Sequence, residues 1–570
     1  MEHKPENKTC QNCKKSFIID SDDFLFYEKI KVPPPTFCPE CRLIRKLVWM
    51  KGVELFRRKC DLCGEIKLSM YHPDAPYVVY CDRCWWSDKW NPLDFAITYD
   101  SNKNFFDQWN ELLQKTPILG LSIDKTSGAL SPYTNHVANT KNSYLVYYSD
   151  YVEDSAFGYQ LTHAKNVYNS GSIMESDIVY DSSNLFKSYN IIGGDSNNTT
   201  SYDCSFIRDC EGAHHCFIAT NVRNQSYLFK DQKFSKEEYE KKIKDIDLGS
   251  YKQYQFWKNE AKKYFKTVIP RPKWETLSVN CTGSYVFQSK NCKECFDVTD
   301  CEDSKFLMLI KIGKVKDSYD YVDWGENAEL VYEGITVGNG ANNVRFSHES
   351  GHNIRDIEYS KLSTGGAHHF GCVSIKKTEY CILNKQYTKE EYLKLREKII
   401  ENMNKNPYIS KVGHVYKYGE FFPPEFSPHA YNDTFAARFF PMNKEEVNFN
   451  GLKWNEIEKR EYEITLKNEE IPDNIKEVDQ NILKEILQCG ICVRGYKIIP
   501  QELQFLKKQN LPLPRVCPFC RILEKIDNWI LCMKIYKRLC DKCSGSFTTH
   551  YSKERAPKIF CKDCYKKEFL

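Results

Sequence analysis

Ser176-Asp-Ile-Val-Tyr180-Asp-Ser-Ser-Asn-Leu-Phe-Lys-Ser-Tyr-Asn-Ile191-Ile-Gly-Gly-Asp-Ser-Asn-Asn-Thr-Thr-Ser-Tyr202 sets short apolar or aromatic pieces between clusters of Asn, Asp, Ser and Gly. The rhythm extends in both directions: Tyr144, Phe157, Tyr168, Tyr180, Ile191, Tyr202, His214 and Tyr227 recur every 11–13 residues. A second series runs Tyr285, Phe296, Phe306, Tyr319, Tyr332, Phe346, Tyr359 and Phe370. No helical period fits, whereas polar turns between short strands suit a parallel β-helix whose coils bury inward residues on their neighbours. With two strand–turn units per coil, each turn is expected to take roughly two dozen residues. A β-sandwich is the alternative, but its turns are less uniform.

Working outward, the two series look like copies. Gly212-Ala-His214-His215-Cys216-Phe217 corresponds to Gly366-Ala-His368-His369-Phe370, and each is followed by similar text, Ser235-Lys-Glu-Glu238 and Thr388-Lys-Glu-Glu391. The last two are capping boxes that open a helix and close a solenoid end against edge pairing. Another helix is expected over about 250–266. Phe105, Phe106, Trp109, Leu112 and Leu113 form an apolar stripe ended by Pro117, a helix with a core-facing side.

Beyond the solenoid text lie cysteines. The chain has 570 residues and 26 cysteines, no apolar run of transmembrane length, and no signal-peptide core at its start. A reducing compartment is expected (cytoplasm, or a virion if the protein is viral), where cysteine usually means metal. Sixteen cysteines form CxxC knuckles: Cys10/Cys13, Cys38/Cys41, Cys60/Cys63 and Cys81/Cys84 in front, and Cys489/Cys492, Cys517/Cys520, Cys540/Cys543 and Cys561/Cys564 behind. Two knuckles supply the four thiolates of a tetrahedral site, so four structural Zn²⁺ ions are expected, with no open position for catalysis. Consecutive knuckles make the simplest pairs, though spacing also permits an interleaved pairing. The flanks repeat too: Phe37-Cys38-Pro-Glu-Cys41-Arg42 matches Val516-Cys517-Pro-Phe-Cys520-Arg521.

The stretch Cys10-Gln-Asn-Cys13, Asp23-Phe-Leu-Phe-Tyr-Glu-Lys-Ile30, Phe37-Cys38-Pro-Glu-Cys41-Arg42 and Tyr80-Cys81-Asp-Arg-Cys84-Trp85-Trp86 resembles the zinc-ribbon, treble-clef-like domains of uncharacterised multi-ribbon proteins from candidate-phyla bacteria and large DNA viruses. That resemblance supports the metal ligands and implies no activity. The rear copy departs from it at Phe519, which stands where the front copy has Glu40.

The fold expected is mainly β: a duplicated right-handed parallel β-helix flanked by tandem Cys₄ zinc-ribbon modules, with a few capping helices. The divisions read as an N-terminal zinc module (1–95), a helical linker (96–130), a first solenoid (131–232), a helical cap and linker (233–275), a second solenoid (276–385), a capping helix (386–405), an extended connector (406–485) and a C-terminal zinc module (486–570).

Charge points to a partner. Residues 489–570 carry 17 Lys and Arg against 7 Asp and Glu, residues 1–90 carry 16 against 13, and the net +4 of the chain leaves the middle strongly acidic. Each Zn²⁺ on four thiolates adds about −2, which leaves only the rear convincingly basic. Arg515, Arg521, Lys525, Lys534, Lys537 and Arg538 are therefore candidate contacts to nucleic acid or a ribonucleoprotein. A structural component of a large assembly is the second reading, and no membrane is implied. A β-helix enzyme acting on glycans is third, because Asp150, Asp177, Asp181, Asp203 and Asp209 are also what solenoid turns require. The His214/His215 and His368/His369 pairs are expected to stack rather than to bind metal. Cys204, Cys210, Cys216, Cys292, Cys295 and Cys301 are expected as small buried hydrophobes between coils.

Overall fold

The computed structural model describes residues 3–124, 131–196, 198–456 and 463–569. It divides into two units: Met1–Leu121 with Glu275–Glu456, and Ser122–Trp274 with Ile457–Leu570. Each unit therefore joins one of the two cysteine-rich ends to the solenoid that is farther from it in the chain. Each contains a 12-stranded, mostly parallel sheet. Residues 125–130, the end of the 96–130 division, and 457–462, inside the 406–485 division, lie outside the described residues.

In the second unit, register runs Asp177↔Tyr189↔Tyr202↔His214↔Ser226, all parallel. One turn of the backbone thus takes 12 or 13 residues, half the expected length: each strand–turn unit is a whole coil. The reason lies in the corners. His136, Asn139, Asn142, Leu145, Tyr148, Tyr151, Asp154 and Phe157 all have φ between 47° and 59°. A left-handed residue at every third position turns the chain four times per coil. Such φ values are costly for residues other than Gly, least so for Asn and Asp. The parallel ladder on both sides of each coil holds the bulky exceptions in place.

The residue after each corner points inward, so the burial period is three and not the two of an ordinary strand. From Ser170 to Ile191 the inward set alternates serine and aliphatic: Ser170, Ile173, Ser176, Val179, Ser182, Leu185, Ser188 and Ile191, all buried. The serines satisfy the backbone inside the coil. Ser182 Oγ donates to Tyr180 O (2.9 Å) and accepts from Gly194 N one turn later (2.9 Å). Ser155 Oγ does the same with Glu153 O (2.8 Å) and Val167 N (3.0 Å). Cys204 takes a serine place, its thiol reaching Tyr202 O at 3.2 Å and Ala213 O at 3.6 Å. Cys210 and Cys216 are buried in the same inward rows, and Cys292, Cys295 and Cys301 in the core of the other unit's coil.

The coil of the other unit behaves alike, with parallel register Glu329↔Asn342, Val331↔Val344 and Gly366↔Thr378. Both sheets end in an antiparallel hairpin followed by a capped helix. Ser226–Phe229 and Gln232–Lys233 precede helix Lys236–Ile243; Lys376–Ile382 and Lys385–Gln386 precede helix Lys389–Lys405. Ser235 and Glu238 close one capping box, Thr388 and Glu391 the other, as the text of each predicts. The helix expected near 250–266 spans Tyr251–Thr267.

Helix Phe105–Lys115 buries its aromatic side within the first unit: Phe105 lies 5.2 Å from Phe370, and Trp109 stacks on Phe422 at 4.0 Å. Phe421 and Phe422, in the stretch read as an extended connector, are fully buried. No helix among the described residues is long and apolar enough to cross a membrane.

Candidate metal centres and their docking faces

The sixteen knuckle cysteines converge in four groups: Cys10/13/38/41, Cys60/63/81/84, Cys489/492/517/520 and Cys540/543/561/564. In each group the four sulfurs lie within 4.8 Å of one another. Consecutive knuckles pair, and the interleaved arrangement is not adopted.

All four groups are built the same way. The first knuckle sits in the turn of a short hairpin, such as Glu6–Thr9 with Ser16–Ile19 or Tyr536–Leu539 with Ser546–Thr549. The residue after the knuckle takes the left-handed corner: Lys14, Gly64, Val493 and Ser544 have φ of 61°, 76°, 63° and 56°. The second knuckle opens a helix, with Cys38, Cys81 and Cys517 as N-caps. The N–H of that cap donates to the first sulfur of the group: Cys38 N to Cys10 Sγ and Cys81 N to Cys60 Sγ at 3.3 Å, Cys517 N to Cys489 Sγ and Cys561 N to Cys540 Sγ at 3.2 Å. Burial pushes the Cys10 thiol up, but the N–H groups of Cys38, Cys13 and Asn12 outweigh it and bring it down to about 7. Cys540, with the same donors in its own group, falls to about 6. The backbone thus favours a thiolate at the first ligand of these groups, whereas burial pushes the Cys38, Cys41 and Cys517 thiols up.

The distances fit a metal. Cys13–Cys38 and Cys492–Cys517 are 3.7 Å apart, Cys543–Cys561 3.8 Å and Cys489–Cys520 4.0 Å. A tetrahedron with Zn–S near 2.3 Å has edges of about 3.8 Å, whereas a disulfide needs about 2.05 Å. The four groups are zinc-ribbon-like Cys₄ sites compatible with metal.

The helix that follows the second knuckle carries basic residues, and the structure turns them inward. In the first unit, helix Pro39–Leu47 lies on a corner row of the solenoid. Arg42 Nε donates to Asp320 Oδ2 (3.0 Å), with its guanidinium 5.2 Å from the Phe306 ring. Arg45 bridges Glu333 and Glu420, both at 2.6 Å, and Lys46 donates to Glu333 at 3.0 Å and Asp320 at 3.4 Å. In the second unit, helix Pro518–Cys532 repeats the arrangement. Arg521 lies 4.4 Å from the Phe157 ring and donates to Glu502 (2.7 Å) and Asn169 (2.5 Å), while Lys525 reaches Asp181 at 2.6 Å. Burial raises the Asp181 carboxyl, but Lys258 and Lys525 overcome this and hold it far below the usual range. The same balance, with Arg42 and Lys46, lowers Asp320.

No protein-family model, curated protein or solved structure matches the chain. Its internal likeness is the comparison that remains: Arg42 and Lys46 stand where Arg521 and Lys525 stand, and Phe306 answers Phe157. One position differs in sign. Arg45, paired with Glu420, corresponds to Glu524, whose charge acts on Lys258 of the Tyr251–Thr267 helix.

The six basic residues singled out from sequence therefore divide. Arg521 and Lys525 are buried in ion pairs. Arg515 donates to the carbonyls of Asn468 and Ile471, and Arg538 to those of Tyr551 (3.3 Å) and Ala556 (3.1 Å). Lys534 and Lys537 are exposed. The front tryptophans pack inward as well: Trp85 is buried, and the Lys376 ammonium sits 4.0 Å from its ring and 4.3 Å from that of Trp90. Sequence reading missed the acidic partners Asp320, Glu333, Glu420 and Glu502. The acidity of the middle of the chain was the one signal that pointed to the first three, and Glu502, inside the basic rear segment, had none.

The histidine pairs form stacks. His214 lies on Tyr202 (4.8 Å, 4°), His215 on Tyr227 (5.4 Å, 7°) and His368 on Tyr380 (4.6 Å, 6°). His369 is buried between Ser363 Oγ (2.7 Å) and Thr378 O (2.8 Å). The three-residue period keeps both His214 and His215 outside and gives the inward place to Cys216, whereas His369 of the second pair takes the inward place after the corner at His368. Among the described residues, no metal-compatible group contains any of these histidines.

Proposed function

We propose that the protein is a non-enzymatic, zinc-stabilised binding scaffold. The observation that carries this reading is the coupling of two knuckle helices, Pro39–Leu47 and Pro518–Cys532, each to a solenoid face. Four thiolates complete each coordination sphere, and in the first and third groups the helix that begins at the third and fourth ligands delivers a buried cationic row onto the solenoid. The metal sites of helices Pro39–Leu47 and Pro518–Cys532 then act as clamps. Zn²⁺ suits all four sets, held by Cys10, Cys13, Cys38 and Cys41 and their three counterparts. The two coils are read as right-handed and as copies of one ancestral solenoid, supported by their matching corners, caps and docking helices.

The contact to nucleic acid or a nucleoprotein is kept for the C-terminal end, where Lys534 and Lys537 are joined by exposed Lys542, Lys553, Lys558 and Lys562 around the fourth Cys₄ group. Flexible exposed lysines suit phosphate contacts that carry no sequence information. Zinc-loaded protein titrated with single- and double-stranded nucleic acid tests this. Affinity should fall steeply with salt, and Lys534→Ala with Lys537→Ala should flatten the salt slope. Binding that ignores salt, or survives the double variant with its slope intact, rules the contact out.

A further inference from the structure

The first unit contains a cleft of about 290 Å³ that neither the metal centres nor the solenoid uses. Its floor joins the loop at Met70–Pro76 to Pro428–Ala430 and to Lys453 and Asn455. The polar groups facing it are unevenly satisfied. Asp433 is taken up by Lys51 (3.6 Å) and by the Asn455 amide, and Asp74 is almost fully exposed at the rim. His429 is buried and stacked flat on Tyr71 at 5.2 Å.

The cations are the groups left over. Lys453 Nζ donates to Ser427 O (2.8 Å) and Tyr77 Oη (3.4 Å), and among the described residues it makes no ion pair. An ammonium has three protons, so one donor remains. His72 accepts from Asp74 N at Nδ1 (3.2 Å), which leaves the neutral ring's proton on Nε2 as a second donor. The cleft thus presents an ammonium with no ion pair among the described residues and an imidazole N–H; Asp433 is paired with Lys51, and the exposed Asp74 carboxylate lies at the rim, 3.6 Å from His72 Nδ1.

We propose that this cleft is a binding site for a small oxyanion, a carboxylate or a phosphate monoester, held by Lys453 and His72. The volume suits a compact metabolite-sized group. Charge supports the assignment: although Lys453 as a whole residue is exposed, desolvation around its amine lowers it first, the neighbouring Lys411 lowers it further, and it comes to about 8. A bound anion reverses both effects, because it stabilises the protonated amine. The facing groups Lys411, Tyr77, His72, His429, Asp433 and Asp74 contribute no carboxylate that pairs with Lys453.

The test uses the zinc-loaded full chain at constant ionic strength, titrated with inorganic phosphate and separately with acetate, followed by calorimetry in two buffers of different ionisation enthalpy. Saturable binding of either anion is expected, with proton uptake near pH 8 and affinity that falls as pH rises through that range. Lys453→Met should weaken binding roughly tenfold or more, from loss of a charged hydrogen bond. Lys411→Met leaves both donors in place and should cost less. Binding of neither anion, or equal binding by wild type and Lys453→Met at unchanged zinc content, overturns the assignment.

Discussion

Arg45→Met is the perturbation that most directly tests the docking of zinc module to solenoid. Arg45 is almost fully buried and donates to two buried carboxylates, Glu333 and Glu420, each at 2.6 Å. Glu333 keeps Lys46 at 3.0 Å, and Glu420 keeps only neutral donors, Thr36 N (2.9 Å) and Thr36 Oγ1 (2.6 Å). Removing one partner of a buried pair costs about 3–5 kcal/mol, because the other charge is left desolvated. Most of that cost falls on Glu420. Adding Glu420→Gln removes the stranded charge and should return at least half of the loss, a coupling that additive substitutions cannot produce. Thermal unfolding followed by tryptophan fluorescence is the assay, since Trp49 and Trp109 lie in the same unit. At roughly 2 °C per kcal/mol for a unit of this size, the first transition should move down by roughly 6–10 °C. Zinc content should stay unchanged, because no ligand is touched. A shift below about 1 kcal/mol, or a double variant no better than Arg45→Met, would show that the ion pairs do not hold the module in place.

Other outcomes follow from the same geometry. Elemental analysis should return four zinc ions per chain, and Cys38→Ser should remove one ion and loosen the Pro39–Leu47 helix from the solenoid; two ions in wild type would refute the Cys₄ assignment. Ser155→Ala strips the acceptor from Val167 N inside the coil and should cost about 1–3 kcal/mol, whereas Ser155→Cys should cost less, as the native Cys204 already occupies an equivalent place. Asp181 and Asp320 are held below their unfolded values, so their contribution is complete above about pH 4 and is lost as pH falls through the folded values. Acid titration by circular dichroism should show this loss, and stability that is flat from pH 5 to pH 2 would contradict it.

The sequon at Asn198-Thr199-Thr200 shows how the coil settles local questions. Asn198 is fully buried, donating to Asp195 O (3.1 Å) and Ile207 O (3.2 Å) and accepting from Cys210 N (3.0 Å). Its amide is a rung of the solenoid and cannot carry a glycan in the folded chain.

Much of the architecture was legible because it is local. Knuckle spacing, the proline within and the arginine after the second knuckle, the capping boxes at Ser235 and Thr388 and the recurrence of aromatic residues each act over some two dozen residues or fewer. The coil length was misjudged because a left-handed corner at Leu145 or Tyr148 has no residue signature as clear as glycine. The tertiary structure alone decided which end clamps which solenoid, and it turned Arg42, Arg521 and Lys525 from apparent surface cations into buried anchors. The reason is distance along the chain. Arg42 and Asp320 are 278 residues apart, and Lys525 and Asp181 are 344 apart. No periodicity links such residues; only the folded corner row of a solenoid brings their charges together.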